Sequence, residues 1–281
     1  MTGSSDSFAN ALAQLDDWPV ETVAAAVVGP AGVLATHGSI DTQVPLASVT
    51  KPLAALAVLV AVEEEAVTLD DPAEENLLPG ATLRHLLAHA SGVAPERPLR
   101  SFGPAQRRVY SNVGIEFAAR LVERATGMPF ADYLAGAVLD PLGMRGTYLD
   151  GSPARDAVSR ASDLARVLAE LLTSTGLLAP ETRADLATVQ YPGLRGVLPG
   201  YGGQPHNDWG LGFEIRADKS PHWTGATNSP RTFGHFGQSG TMLWLDPDAS
   251  LGLVALTDRA FGEWAIEAWP RLSDAVLAAA R

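Results

Sequence analysis

The chain contains no cysteine. Disulfide bridges, thiolate metal ligands and cysteine nucleophiles are excluded, while the redox compartment is left open. Lysine is nearly absent too: Lys51 and Lys219 stand beside 18 arginines, so lysine is not this protein's ordinary surface cation. No basic cluster interrupts a net charge of -12, which argues against nucleic acid or an anionic membrane surface as the main partner. The longest apolar run, Leu53 to Val62, falls short of the roughly 20 residues that span a bilayer. Met1-Thr2-Gly3-Ser4-Ser5-Asp6 has neither the basic nor the apolar region of a secretory signal, so a soluble cytoplasmic protein is expected. There is no internal repeat, low-complexity tract or long linker. The 281 residues, 46% hydrophobic, suffice for a large core.

What is present centres on Leu46-Ala47-Ser48-Val49-Thr50-Lys51-Pro52 and the apolar run behind it. On a helix, residues i and i+3 lie about 300° apart in rotation, so Ser48 and Lys51 share a face within side-chain reach. An ammonium at the edge of a dry helix is poorly solvated, and desolvation favours the neutral amine that can take a proton from a hydroxyl. Lowering a lysine pKa to about 7 asks roughly 4 to 5 kcal/mol of its surroundings. The plainer alternative is a serine cap followed by an incidental lysine. With 17 Ser and 2 Lys, about 0.1 Ser-x-x-Lys matches arise by chance.

Along the chain, Phe8 to Leu15 is spaced as a short helix, and Thr22 to Val28 with Val33 to Thr36 reads as a hairpin across Gly29-Pro30-Ala31-Gly32. The Ser48 helix runs to about Glu63. Helical patterns follow at Leu83 to Ala88, Gly114 to Ala125, Phe130 to Leu139 and Asp163 to Leu172, separated by Gly- and Pro-rich loops such as Gly92 to Pro104 and Pro192 to Gly203. Beyond Trp209, strands are expected at Gly210 to Ile215, Thr241 to Asp246 and Leu251 to Leu256, and a helix at Phe261 to Ala280. The expected class is α/β (α+β): an antiparallel sheet flanked by N- and C-terminal helices. Residues 1–45 and 205–281 would form this lobe, and residues 46–204 an inserted all-helical lobe. A cleft between lobes is a usual place for a site.

Two further stretches carry chemistry. Tyr110-Ser111-Asn112 precedes a helix; a phenol there could relay the serine proton, and an amide could hold a substrate carbonyl or orient Lys51. The alternative is Asn112 as a helix cap beside a packed tyrosine. In Gly234-His235-Phe236-Gly237-Gln238-Ser239-Gly240-Thr241, glycines allow close backbone approach, and a strand edge offers N–H groups to an oxyanion. Taken alone, this stretch reads as a glycine-rich turn with His235 on the surface. His85 and His89 are spaced i, i+4 like zinc ligands, but Leu86 stands where a metalloprotease needs Glu, and packing or turn-binding roles are favoured. Trp209, Trp223, Tyr191 and Tyr201 are candidates for an acyl pocket or for the core.

Ser48-Val49-Thr50-Lys51, Tyr110-Ser111-Asn112 and His235-Phe236-Gly237, in this order, resemble the three motifs of the penicillin-binding-protein and class C β-lactamase-related serine hydrolases. Leu86 to Gly92, Asp140 to Met144 and Leu243 to Pro247 resemble that family as well. The resemblance implies Ser48 as acylated nucleophile, Lys51 and Tyr110 as the proton-transfer pair, and Asn112 in contact with substrate. It implies the N–H groups of Ser48 and Gln238 as the oxyanion hole. His235 would stand where the third motif has lysine in its Lys-Thr-Gly form, and Phe236 lacks that motif's hydroxyl. A mostly neutral imidazole anchors a carboxylate less well than an ammonium. Both departures disfavour efficient penicillin turnover and favour an esterase or a peptidase acting on an uncharged or differently shaped acyl donor; an esterase of small acyl esters is the first expectation, followed by a D-amino-acid peptidase or amidase and a weak β-lactamase. No Glu-x-x-Leu-Asn stretch of the class A kind is found. A non-catalytic sensor domain on the same fold is the alternative from another class. The expected partner is a small ester or amide substrate. No metal or organic cofactor is implied, and the oligomeric state is not fixed, with a monomer favoured.

Overall fold

A computed structural model of the protein describes residues 5–173 and 176–281. The expected hairpin forms from β1 (Val23–Gly29) and β2 (Gly32–Gly38). Four more strands come from the C-terminal third: β3 (Glu214–Ile215), β4 (Phe233–Gly237), β5 (Thr241–Asp246) and β6 (Leu251–Thr257). Together they make one six-stranded antiparallel sheet in the order β2-β1-β6-β5-β4-β3. The two ends of the chain meet at its centre, where Val23 pairs with Thr257 and Val28 with Gly252.

Successive side chains of a strand point to opposite faces, and both faces are covered here. Ala24, Ala26, Val28, Leu243, Val254 and Leu256 join the core that includes the Ala161–Thr173 helix. Ala25, Val27, Met242, Trp244, Leu253 and Ala255 join a second core with Phe8 and Leu12 of the Ser5–Leu12 helix and Trp269, Leu272 and Val276 of the Glu263–Ala279 helix. Two covered faces leave no need for a polar side, which is why β5 and β6 read as continuous apolar runs.

The Thr50–Glu63 helix is buried from Thr50 through Leu59, on every side. It packs against the Asn112–Thr126 helix and the end of β4. A helix apolar all round belongs in the middle of a fold, not at its surface.

Several elements differ from expectation. The predicted Gly210 to Ile215 strand shrinks to Glu214–Ile215, because Gly212, at φ 81°, turns the backbone against the helix wall. A Cβ at Gly212 would collide with Ala55, so glycine is needed for that approach. Phe233–Gly237, expected as a turn, is a fully buried strand. Residues 46–204 are mainly helical but not all-helical: short strands Ala157–Ser159 and Tyr148–Leu149 make a small sheet with Val44–Pro45, which lies just before this range, and Gly196–Leu198 pairs with Gly202–Gln204. Among the described residues no helix is long and apolar enough to cross a membrane.

Candidate active site

Ser48 lies in a 3₁₀ turn, Ala47–Val49, that leads directly into the Thr50–Glu63 helix. In a 3₁₀ turn residues i and i+3 eclipse, which brings Lys51 Nζ to 3.1 Å from Ser48 Oγ. Lys51 Nζ also lies 2.6 Å from Asn112 Oδ1 and 2.9 Å from the Ala154 carbonyl. The Tyr110 hydroxyl donates to Ser48 Oγ at 2.7 Å. Hydroxyl, amine and phenol, predicted from three separated positions, therefore meet at one point.

Lys51 is fully buried. That burial lowers its pKa from 10.5 to about 7, with Glu96 opposing the shift and Arg155 assisting it. Burial pushes the Tyr110 phenol well above its usual range, more than its hydrogen bond to Ser48 pulls it back. Near neutrality the amine is partly unprotonated while the phenol keeps its proton. As an ammonium, Lys51 can donate to all three oxygens around it; once unprotonated, it can still satisfy the Ala154 carbonyl and Asn112 Oδ1, which only accept, with its two N–H groups and turn its lone pair to the Ser48 hydroxyl.

Ser111, not Asn112, caps the Asn112–Thr126 helix, its Oγ accepting from Gly114 N–H at 3.0 Å. That frees the Asn112 side chain to bridge. Its Oδ1 faces Lys51, and its Nδ2 donates to Glu96 Oε1 at 2.6 Å; Glu96 Oε2 in turn accepts from Arg155 at 3.1 Å. Of the two uses expected for this amide, orientation of Lys51 is the one visible, while Asn112 also lines the cleft beside Ser48. Neither Glu96 nor the Ala154 carbonyl carried any signal in the sequence.

His235 is not a surface residue. It sits in buried β4 and is 4% exposed. Its Nδ1–H donates to the Phe236 carbonyl at 2.7 Å. Burial, aided by the nearby Lys51 charge, lowers its pKa to about 3, so it stays neutral. Gly237 is the point where β4 touches the Ser48 turn: a Cβ there would collide with the Leu46 carbonyl and the Thr241 hydroxyl. Thr241 Oγ1 ties the same carbonyl to β5 at 2.7 Å. Gln238 follows on the exposed rim, where its Nε2 donates to the Phe261 carbonyl at 3.3 Å.

These residues surround a cleft of about 200 Å³ with Leu198, Pro199, Trp209 and Phe236 as its apolar wall. Two carboxylates reach it, Glu96 at the rim and buried Glu214. Glu214 accepts from Lys219, from His222 at 3.0 Å and from Trp223 Nε1 at 2.6 Å. Burial opposes its ionisation, but the His222 and Lys219 charges and hydrogen bonds outweigh it and hold Glu214 at about 2. Lys219 also donates to the Asp208 and Ile215 carbonyls. Sequence reasoning missed this cluster, although the scarcity of lysine was a sign that the second one is special.

Of the four aromatic candidates, only Trp209 reaches the cleft. Tyr201 and Trp223 pack behind it on Phe236, at 6.0 Å and 5.8 Å. Tyr191 stacks on His85 at 4.3 Å. His85 and His89 do not share a helical face, because the Leu83–Leu87 helix ends before His89. His85 Nδ1 accepts from the Thr82 N–H at 3.2 Å and completes a capping box.

An antiparallel sheet covered on both faces, with a serine, a buried lysine and a tyrosine gathered at the mouth of a central helix, defines the β-lactamase and transpeptidase class of fold. Residues 14–277 match the family model described as Beta-lactamase; the chain belongs to this family of serine hydrolases. It is 56% identical to a beta-lactamase of known structure from Mycobacterium bovis, with a TM-score of 0.93 over 95% of this chain and 98% of that one. The curated protein Esterase EstB of Burkholderia gladioli is 26% identical, over 84% of this chain and 87% of EstB. The fold is also that of EstCE1, a hydrolase with promiscuous acyltransferase activity (TM-score 0.79, 18% identity, 97% of this chain and 99% of that one).

Proposed function

We propose that the protein is a serine hydrolase that acylates Ser48 and releases the acyl group to water, with small uncharged esters as its substrates. The observation that carries this reading is the Ser48 hydroxyl held 3.1 Å from an amine with a pKa near 7 and 2.7 Å from a phenol that keeps its proton. Ser48 Oγ attacks the acyl carbonyl carbon as its proton passes to the Lys51 lone pair. The C–O bond to the leaving alcohol then breaks, and Tyr110 supplies the departing oxygen with a proton that it regains from Lys51. Water enters by the reverse relay and releases the acid. The N–H groups of Ser48 and Gln238 are the oxyanion donors in this reading, each typically worth about 3 kcal/mol in the transition state. The contact between Gly237 and the Ser48 turn supports that role.

The ester preference rests on charge. A neutral His235 provides no cation for a substrate carboxylate, and the cations nearest the two cleft carboxylates, Arg155 at Glu96 and Lys219 at Glu214, are already engaged by those carboxylates. An anionic β-lactam is disfavoured on both counts. Hydrolysis of p-nitrophenyl acetate and butyrate by wild type and Ser48→Ala tests the reading. A loss of at least about 1000-fold is expected in the variant, together with slower turnover of nitrocefin than of the esters by wild type. Equal rates for the two proteins would remove the enzyme claim, and a single stoichiometric burst would favour a sensor.

A further inference from the structure

We propose that His89 is the positioning residue for Tyr110. The proposal rests on the reading of Tyr110 as the proton carrier to Ser48. Three contacts from this one residue bracket the tyrosine. On its N-terminal side, the Val109 N–H donates to the His89 carbonyl at 2.9 Å. On its C-terminal side, the Ser111 N–H donates to His89 Nδ1 at 3.2 Å. Between them the imidazole lies 4.8 Å from the Tyr110 ring, centroid to centroid. The N–H groups of the residues before and after Tyr110 are thus hung on a single side chain and its own carbonyl, and the ring between them packs on the same imidazole.

The backbone of His89 is shaped for this. For carbonyl and imidazole both to meet the Val109–Ser111 segment, His89 takes φ 53°, in the left-handed region. Non-glycine residues there carry strain, although histidine tolerates the region better than most. The residue is referenced to rigid structure on either side. Its own N–H donates to the Leu86 carbonyl at 3.1 Å, and the Arg108 guanidinium donates to the Ala88 carbonyl at 2.6 Å. Trp209 closes the far side of the imidazole at 4.6 Å and 86°.

The chemistry of the ring rules out a proton-carrying role. Because Nδ1 accepts from an amide, the ring proton sits on Nε2. Complete burial keeps the imidazole uncharged, and the nearby Lys51 and Arg108 charges act in the same direction. His89 works by geometry, through Tyr110, and a displacement of the phenol by about 1 Å is worth up to about 100-fold in rate.

The test compares His89→Gly, which keeps the left-handed backbone and deletes the acceptor and the ring, with His89→Asn, which keeps an acceptor at the same branch point and tolerates the left-handed region. Each is made in wild type and in Tyr110→Phe, and kcat, KM and the urea midpoint are measured with p-nitrophenyl acetate. We expect His89→Gly to lower kcat about 10- to 100-fold with KM changed less than about twofold. His89→Asn should recover most of that loss, and neither change should matter further once Tyr110 is Phe. The proposal is overturned if His89→Gly keeps full kcat, or if the His89 variants lose as much activity in the Tyr110→Phe background as in wild type. Should His89→Gly not fold, His89→Asn in the two backgrounds decides by the same criterion. Full activity in Tyr110→Phe alone would instead overturn the reading of Tyr110 beneath this proposal, and is told apart by that single variant.

Discussion

At the scale of single residues, the proposed role of Lys51 ties both rate and stability to its charge. The rate of ester hydrolysis should rise with pH through about 7 as the ammonium loses its proton. Glu96 stabilises that ammonium, so Glu96→Gln, which can still accept from the Asn112 amide, should move the acidic limb of the kcat/KM profile to lower pH. An unmoved limb would sever the link between Glu96 and Lys51. The same titration appears in folding with a definite sign. Between about pH 7 and pH 10.5 the unfolded chain binds a proton at Lys51 that the folded chain refuses, so stability rises with pH across this window and is lowest below it. The full penalty is about 4 to 5 kcal/mol. Lys51→Met lacks this titration, and other groups cancel in the comparison. Urea unfolding at pH 7 and pH 9.5 should show wild type gaining about 3 kcal/mol relative to Lys51→Met. Parallel pH curves for the two proteins would contradict the buried, depressed amine.

At the scale of elements, the decisive contact joins β4 to the Ser48 turn at Gly237. Gly237→Ala forces a methyl group into the Leu46 carbonyl. We expect a stability loss of about 1 to 3 kcal/mol and a kcat reduced by roughly 100-fold as the Gln238 N–H leaves its place, read by urea midpoint and ester kinetics. A variant with wild-type kcat would show that this strand end has no part in oxyanion binding. The Ser48 and Lys51 pairing was legible because a three-residue spacing fixes geometry locally. Tyr110 was legible as a candidate proton relay from its phenol, but only the resemblance tied it to Ser48, since nothing in its local sequence says which turn it will meet. β4 was hidden for a physical reason: its two glycines, Gly234 and Gly237, read as turn residues, yet they are there because neighbouring backbone leaves no room for a Cβ. Glu96, the Ala154 carbonyl and the Glu214 cluster come together across loops, and no periodicity encodes such meetings.

At the scale of the whole molecule, the sheet depends on helices from the two chain ends closing one of its faces. Trp269, fully buried, touches Phe236 at 5.8 Å and Phe261 at 5.3 Å, and Ser273 on the same helix accepts from Trp244 Nε1 at 3.0 Å. Trp269→Ala should cost about 3 to 5 kcal/mol in a denaturation experiment, and a loss below 1 kcal/mol would mean the C-terminal helix is not part of the core. The burial of both lysines, Lys51 and Lys219 at 0% and 2% exposure, reaches beyond the cleft. The native surface offers acylating labels such as succinimidyl reagents no side-chain amine, so the appearance of modified lysine in a mass spectrum becomes a clock for how often each of these two places opens.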